Sequence, residues 1–450
     1  MSVSKNILLT TGANAAVGLL ALISGPLAAR LLGPAGRGEL AAIQSLFYLA
    51  AVIALIGLPE ATLYFVARFP GRSRDILKSA LILVLAITPL VFAAAYRFAP
   101  LILRHQPAEV IFIARCSLGF IWVFDILALL QFAARGAGKI IVWNVARVLP
   151  ILGWTVVLAG FALSRRPSVA GIAFGYLGVL GLCVVITLAM LRGALKRAPS
   201  PGQSFAMQML KYGAPLACAT VPQALNLRLD QVLISAFLPS AELGFYVVAV
   251  GWGGAVALVL TAIANLSFPR IAASRSVQEA AEIFTRNIRL GVTVSICLGS
   301  ALVLITPIIL PVIFGHAFRA SIPAACLVVV ASSLGGINII GEEGLRGFGH
   351  TWPVFFIELS GITVTAGMLF WLLPKMGIAG AALASILGCF TASMTLGFYC
   401  WKKLRIRPSS LCSPAKQDVT DLWRAATSML SRMSIDTGGP LKKPEIESAK

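Results

Sequence analysis

The sequence predicts an all-α polytopic membrane protein of about 12 transmembrane helices, built as two six-helix lobes related by a pseudo-two-fold axis along the membrane normal. Three observations predict it. Of the 450 residues, 58% are hydrophobic and 12% are charged, with a mean hydropathy of +0.90, whereas soluble domains carry roughly 25% charged residues. The apolar residues gather into about twelve runs, most near the roughly 20 residues that a helix needs to cross a bilayer. Finally, the joints between these runs repeat at a nearly constant offset.

The runs lie near residues 7–32, 38–66, 76–97, 108–132, 140–162, 169–191, 210–237, 242–267, 288–313, 322–341, 352–373 and 378–400. An even number places both termini on one side. The first run exceeds the apolar core of a signal peptide and is followed by more spans, so it reads as a retained transmembrane helix. Basic residues then set the orientation. One set of joints holds Lys5, Arg68, Arg72, Arg74, Lys78, Arg135, Lys139, Arg192, Lys196, Arg197, Lys211, Arg270, Arg275, Arg286, Arg289 and Arg346. The other holds half as many: Arg30, Arg37, Arg97, Arg104, Arg165, Arg166, Arg319 and Lys375. The positive-inside rule puts the richer side, and both termini, in the cytoplasm. It also accounts for much of the +20 net charge without nucleic acid as a partner.

The repeat is read from the joints. Ala134-Arg135-Gly136-Ala137-Gly138-Lys139 matches Leu345-Arg346-Gly347-Phe348-Gly349-His350 (346 − 135 = 211). Val169-Ala170-Gly171-Ile172-Ala173 matches Ile378-Ala379-Gly380-Ala381-Ala382 (380 − 171 = 209). Leu32-Gly33-Pro34 through Gly38 matches Leu238-Pro239 through Gly244 (239 − 34 = 205). The domains are therefore 1–195 and 210–401, joined by a basic linker at 196–209 with Pro199 and Pro201. Each half has an even number of spans, so the repeats point the same way and a cavity is expected between them near the midplane. Residues 402–450 form a basic cytoplasmic tail. Within it Asp418 stands at a capping position, and Val419, Leu422, Trp423, Ala426, Leu430 and Met433 recur at helical spacing. They predict an amphipathic helix over 418–433 on the inner leaflet.

No catalytic or metal-binding pattern is present. The eight cysteines include no CxxC, the three histidines all lie in joints, and GxSxG, Walker A and HExxH are missing. The chain is thus expected to be no enzyme and to need neither cofactor nor metal.

The informative residues are charges inside the spans. Span seven is interrupted by Asn226-Leu227-Arg228-Leu229-Asp230-Gln231, although an Arg or Asp at mid-bilayer costs roughly 2.5–3.5 kcal/mol on insertion scales. At about 100° per residue, Gln223, Asn226 and Asp230 share one face while Arg228 points nearly opposite. One of Arg228 and Asp230 faces the cavity and the other anchors the helix to its lobe; the spacing leaves open which. Pro215 and Pro222 permit a bend, so span seven reads as a gating helix. Arg228, Asn226, Gln223 and Arg115 are the candidate cavity residues, and Asp230, Glu60 and Asp125 the candidate groups for a coupling proton or cation. Glu342 and Arg346 are spaced to form a local i,i+4 pair. Arg147 and Glu358 occupy equivalent repeat positions (358 − 147 = 211) and are expected to hold each half together. Arg30 and Arg37 flank Gly33-Pro34, where arginines reach membrane headgroups.

The run Ala29-Arg30-Leu31-Leu32-Gly33-Pro34-Ala35-Gly36-Arg37-Gly38-Glu39-Leu40-Ala41-Ala42, the stretch from Gly57-Leu58-Pro59-Glu60 to Tyr64-Phe65-Val66-Ala67-Arg68, and the twice-used Arg-Gly-x-Gly turn resemble the polysaccharide transporter branch of the multidrug/oligosaccharidyl-lipid/polysaccharide exporter superfamily. The resemblance covers about residues 5–401. It implies a V-shaped pair of lobes in the bacterial cytoplasmic membrane that flips an undecaprenyl-diphosphate-linked oligosaccharide by alternating access; the sequence leaves open whether it works alone or beside a polysaccharide polymerase. The resemblance also implies that Arg30 and Arg228 engage the diphosphate and that the first helix of the second lobe moves. The competing expectation on the same fold is a cation-coupled multidrug or small-solute antiporter, whose cavity would be organised by acidic and aromatic groups.

Overall fold

The computed structural model describes residues 3–193, 195, 204–407 and 410–411. The helix expected over 418–433, and most of the expected linker, lie outside the described residues. In chain order the helices are α1 Val3–Leu55, α2 Leu58–Arg68, α3 Ser73–Ile102, α4 Ala108–Leu118, α5 Ile121–Gly136, α6 Ile140–Ser164 and α7 Val169–Leu191, followed by α8 Ala206–Asn226, α9 Leu229–Phe237, α10 Ser240–Ala272, α11 Val277–Phe314, α12 Ile322–Gly347 and α13 Thr351–Leu404. No strand occurs among the described residues.

Two helices are too long for one crossing. The 53 residues of α1 and the 54 of α13 would each stretch about 80 Å at 1.5 Å per residue, against a hydrocarbon core of about 30 Å. Each folds back at a glycine in the left-handed region, Gly33 (φ 67°) and Gly377 (φ 57°), a conformation open to glycine because it has no Cβ. The arms of α13 lie antiparallel: Ser360 meets Thr395 at 3.1 Å, and a Cβ on Gly361 would stand 3.2 Å from Ala392. The first arm of α1 runs beside α6 through Thr10 with Asn144 and Asn14 with Arg147. Its second arm starts against α10 at Gly38 and ends beside α8, where Gly57 meets Gly213.

The remaining crossings include two broken ones. The helices α4 and α5 are bent by 45°, and α8 gives way to α9 at Leu227-Arg228. Counting α1 and α13 twice, and taking the second arm of α1 with α2 as one crossing, gives six crossings before the linker and six after it. Large apolar side chains point outward, such as Leu163 at 85% and Leu304 at 76% exposed, which suits a surface bathed in lipid tails.

The pseudo-two-fold is visible at one contact. At an offset of 206, one residue more than that of Pro34 and Pro239 in the third repeat match, Gly38 corresponds to Gly244 (244 − 38 = 206) and Pro34 to Ser240 (240 − 34 = 206). A Cβ on Gly38 would lie 1.7 Å from the Ser240 carbonyl oxygen, and one on Gly244 would lie 1.9 Å from that of Pro34. Each half thus gives and receives the same contact, the pattern of a two-fold interface. Small residues of this kind let backbones approach where no hydrophobic force drives helices together.

At the opposite face, which carries the more basic loops, the halves meet through aromatic rings. Tyr64 stacks on Tyr212 at 4.4 Å, and Phe205 packs beside Phe65 and Phe69. Phe205 and Met209 are buried, so α8 starts at Ala206 rather than at the expected residue 210. Burial of Met209 against α2 and α3 recruits the first turn into the helix, with Phe205 packed just before it.

Gly38→Ala should therefore force α1 and α10 apart and cost about 1–3 kcal/mol, as overpacking does. Gly251→Ala, on the same α10 but with nothing within 4 Å, should be neutral or slightly stabilising. Thermal midpoints of the purified protein in detergent will compare the two; an unchanged Gly38→Ala midpoint removes the close-crossing account.

Candidate functional site

The site grows from the interruption of span seven. At its start the Arg228 amide donates to the Leu225 carbonyl at 3.0 Å, and the Val232 amide donates to the Arg228 carbonyl at 3.0 Å. Helix α8 closes and α9 opens within two residues. The bend is thus at Leu227-Arg228, not at the prolines: Pro215 is exposed and sits inside α8, and the side chains of Pro222 and Gln223 lie outside the described residues. A local competitor explains the break. The Asp230 carboxyl accepts the Gln231 amide at 2.7 Å, a side-chain to backbone bond that trades against helix continuity.

Arg228 and Asp230 then diverge. The Tyr246 hydroxyl of α10 donates to the second Asp230 oxygen at 2.6 Å, and Tyr246 is fully buried. Asp230 therefore anchors α9 within its own lobe. Arg228 reaches the other way: its guanidinium lies 5.4 Å over the Tyr48 ring of α1 and donates to Gln231 Oε1 at 2.9 Å. Gln231, itself buried, also accepts from Ser45 of α1 at 3.0 Å. One amide oxygen thus joins both halves and fixes the guanidinium.

Arg228 closes a cavity of about 310 Å³ on the side of the first lobe. Its other walls include Gln44, Phe47 and Tyr48 of α1, Phe124 of α5, Arg147 and Trp154 of α6, and Tyr176 of α7. Among the lining residues the charged ones are Arg147 and Arg228, and none is a carboxylate. Arg147 is held in place by Asn14 at 2.8 Å and by the Trp143 ring at 4.7 Å. Arg37 adds to the field: its Nη1 is buried without a hydrogen-bond partner, and it stands close enough to Arg228 for the two cations to repel. Cationic donors that repel each other in a partly apolar cavity favour an anionic ligand with several oxygens.

The other singled-out residues lie elsewhere. Arg30 donates to the carbonyls of Ile313, at 2.8 Å, and Val312, capping the C-terminal end of α11, where a cation meets the helix dipole. Arg115 donates to the Tyr96 carbonyl at 3.2 Å and covers that ring at 4.5 Å. Asn226 donates to Glu358 in the second lobe at 3.4 Å. Asp125 is fully buried, accepting from Thr88 at 3.1 Å, with Oδ1 unpartnered. Glu60 lies on a separate, open groove of about 710 Å³ beside Tyr64, Arg68 and Tyr212. Arg346 pairs with Glu343, not with Glu342 as the i,i+4 spacing predicts, because Glu342 is turned into the protein and Glu343 toward its surface. Arg147, expected to be structural, lines the cavity, as do Tyr48, Trp154 and Tyr176, whose types alone carry no signal for it.

Tyr246→Phe removes the direct donor to Asp230 and leaves an under-bonded buried carboxylate, at a cost of about 1–3 kcal/mol. The thermal midpoint should fall, and the Arg228–Tyr48 contact should loosen, read as raised thiol labelling of a cysteine placed at Gln44, which lines the same cavity and leaves Tyr48 in place. No change in either would show that Tyr246 does not hold α9.

Known proteins of the same shape are transporters. An inward-facing multidrug resistance MATE family transporter of the MOP superfamily superposes with a TM-score of 0.74 at 15% identity, covering 90% of this chain and 98% of its own. The lipid II flippase MurJ, in an inward closed conformation, also gives 0.74, at 13% identity, covering 96% and 94%. The Vibrio cholerae MATE transporter VcmN gives 0.57 at 12% identity, covering 88% and 99%. At these identities the likeness is one of fold. No curated protein matches the chain in sequence. A family model described as polysaccharide biosynthesis protein matches residues 3–274, more than half of the chain. The chain is a multi-pass membrane protein that belongs to the polysaccharide biosynthesis protein family.

Proposed function

We propose that this protein is a flippase for a lipid-linked oligosaccharide, moving an undecaprenyl-diphosphate-linked glycan across the bacterial cytoplasmic membrane by alternating access for cell-surface polysaccharide synthesis. The observation that carries this reading is the pair Arg147 and Arg228 in a cavity with no carboxylate in its wall. A diphosphate matches the planar, bidentate donors of two guanidiniums, and the unpartnered Arg37 nitrogen beside Arg228 is a third donor of the same sign. Tyr48, Trp154 and Tyr176 would stack against sugar rings, and the prenyl chain would stay in lipid. The excess of basic residues in the joints on one side supports both termini being cytoplasmic. Similarity of fold to a lipid II flippase is consistent with this substrate class.

The aromatic wall also favours a second reading, a cation-coupled multidrug antiporter on the same fold. A cavity for cationic drugs needs an acidic group, and the charged residues of this wall are both cations. Anionic cargo is therefore the better match.

Arg228→Ala and Arg147→Ala should each lower flipping about ten- to a hundredfold, the range for removing a charge-assisted hydrogen bond. In a strain lacking the gene, surface polysaccharide should stay low although the variant protein reaches normal levels, and drug susceptibility should not change. Full restoration of surface polysaccharide by Arg228→Ala would overturn the assignment, and altered drug susceptibility would favour the antiporter.

A further inference from the structure

At the face with the fewer basic residues the two halves are joined by polar bridges that the cavity does not use. Residues 103–107 link α3 to α4 in the first lobe and reach across to the second. Arg104 donates from Nε to the Ala236 carbonyl at 2.8 Å, and its guanidinium lies 5.1 Å over the Phe237 ring. The buried Gln106 amide donates to the carbonyls of Ser235, at 3.2 Å, and Leu238, at 3.4 Å. In return the Ser235 hydroxyl donates to the Ile102 carbonyl at 3.4 Å. Carbonyls at a helix C-terminus have no partner within the helix, so this strap from the first lobe caps α9 of the second.

The repeat places a second bridge opposite the first. At the offset of 206 Arg30 corresponds to Ala236 (236 − 30 = 206), and at that of 211 Ile102 corresponds to Ile313 (313 − 102 = 211). The meeting of Ala236 with the strap that follows Ile102 is therefore the counterpart of the meeting of Arg30 with Ile313 at the end of α11. A two-fold relation accounts for paired contacts, but not for their chemistry. The counterpart of Arg30 is an alanine, and that of Arg104 is Gly315 (315 − 104 = 211). Each bridge thus carries an arginine that the repeat does not supply. Both arginines come from the first lobe, and both sit on the negative dipole end of a second-lobe helix. At the basic face the seam is built instead from the stacked rings of Tyr64 and Tyr212 and the close approach of Gly57 to Gly213.

Helix α9 connects the strap to the cavity. Its 9 residues span about 13 Å at 1.5 Å per residue. The near end is held on α1, where Arg228 lies over Tyr48 and Gln231 accepts from Ser45. The far end lies in the strap. A helix this short moves as one body, so loosening the near end loosens the far one.

We propose that Arg30 and the Arg104–Gln106 strap form a latch that keeps this face shut, and that α9 is the lever through which an anion in the cavity releases it. A group with several anionic oxygens draws the Arg228 guanidinium away from Gln231 and Tyr48. The first lobe then loses its hold on the near end of α9, and the far end leaves Arg104 and Gln106. With one bridge gone the lobes part, and Arg30 releases α11. This inference rests on the flippase reading above, which supplies the anion, and names the seal that its binding breaks.

The test is hydrogen–deuterium exchange of the purified full chain in phosphatidylcholine vesicles, followed over residues 234–238 and 312–318. Arg104→Ala should raise exchange several-fold at 234–238 and also at 312–318, which Arg104 does not cap. Arg104→Lys, which keeps a charged donor, should restore most of the protection at both. Inorganic pyrophosphate should raise exchange at both segments in the wild-type chain and at neither in Arg228→Ala. A rise confined to 234–238 in Arg104→Ala shows a local cap and overturns the latch. A wild-type chain that ignores pyrophosphate, or responds equally to sodium chloride at the same ionic strength, overturns the lever, and this comparison decides even if a variant misfolds. A seam that behaves as stated while Arg228→Ala fully restores surface polysaccharide counts against the flippase reading alone.

Discussion

Everything in this protein depends on how polar groups are satisfied at the depth where span seven breaks. Lipid offers no hydrogen bonds, so an interrupted helix survives there only where protein or a wet cavity replaces the missing partners. Two local devices meet that demand. Asp230 binds the Gln231 amide in the first turn of α9 and is itself held by Tyr246, while Gln231 gathers donors from Ser45 and Arg228 onto one oxygen. The first device fixes the break within its lobe, and the second stretches it across to the other. Arg228 is consequently a residue of the second half presented to a cavity walled by the first.

The two halves share a backbone plan and differ in charge. Their common plan is written in the glycine crossing, where Gly38 and Gly244 give the same contact in both directions. Their difference lies at positions 131 and 147 against 342 and 358, an amide and a cation in one lobe and two acids in the other. A duplicated scaffold of this kind carries different charges at equivalent places, with a cation in the cavity wall of one lobe and acids in the other. The seventh span touches both, through Arg228 on one side and Asn226 on the other.

Much of this was legible in the chain itself. Twelve apolar runs, the parallel repeat and the opposed directions of Arg228 and Asp230 all follow from local periodicity, which a helix converts directly into geometry. The break was legible as a run of polar residues, but not its position. Proline is the usual marker of a kink, and here both prolines lie in continuous helix while Asp230 supplies the competing hydrogen bond.

The rest depended on distance along the chain. Arg30 binds carbonyls of Val312 and Ile313, some 282 residues away, and no pattern near Arg30 announces that partner. Glu342 and Glu343 look interchangeable as partners for Arg346, yet one is turned into the protein and the other is not. Arg147 reads as a structural charge until α1, α6 and α7 are brought together around it. Sequence by itself determined which stretches are helical, how often the chain crosses and which side chains of a helix point apart, because those follow from the helical repeat and the thickness of the bilayer. Only tertiary structure decided which charges meet, since an unpaired charge in lipid is costly and its partner is selected by the helices that pack beside it.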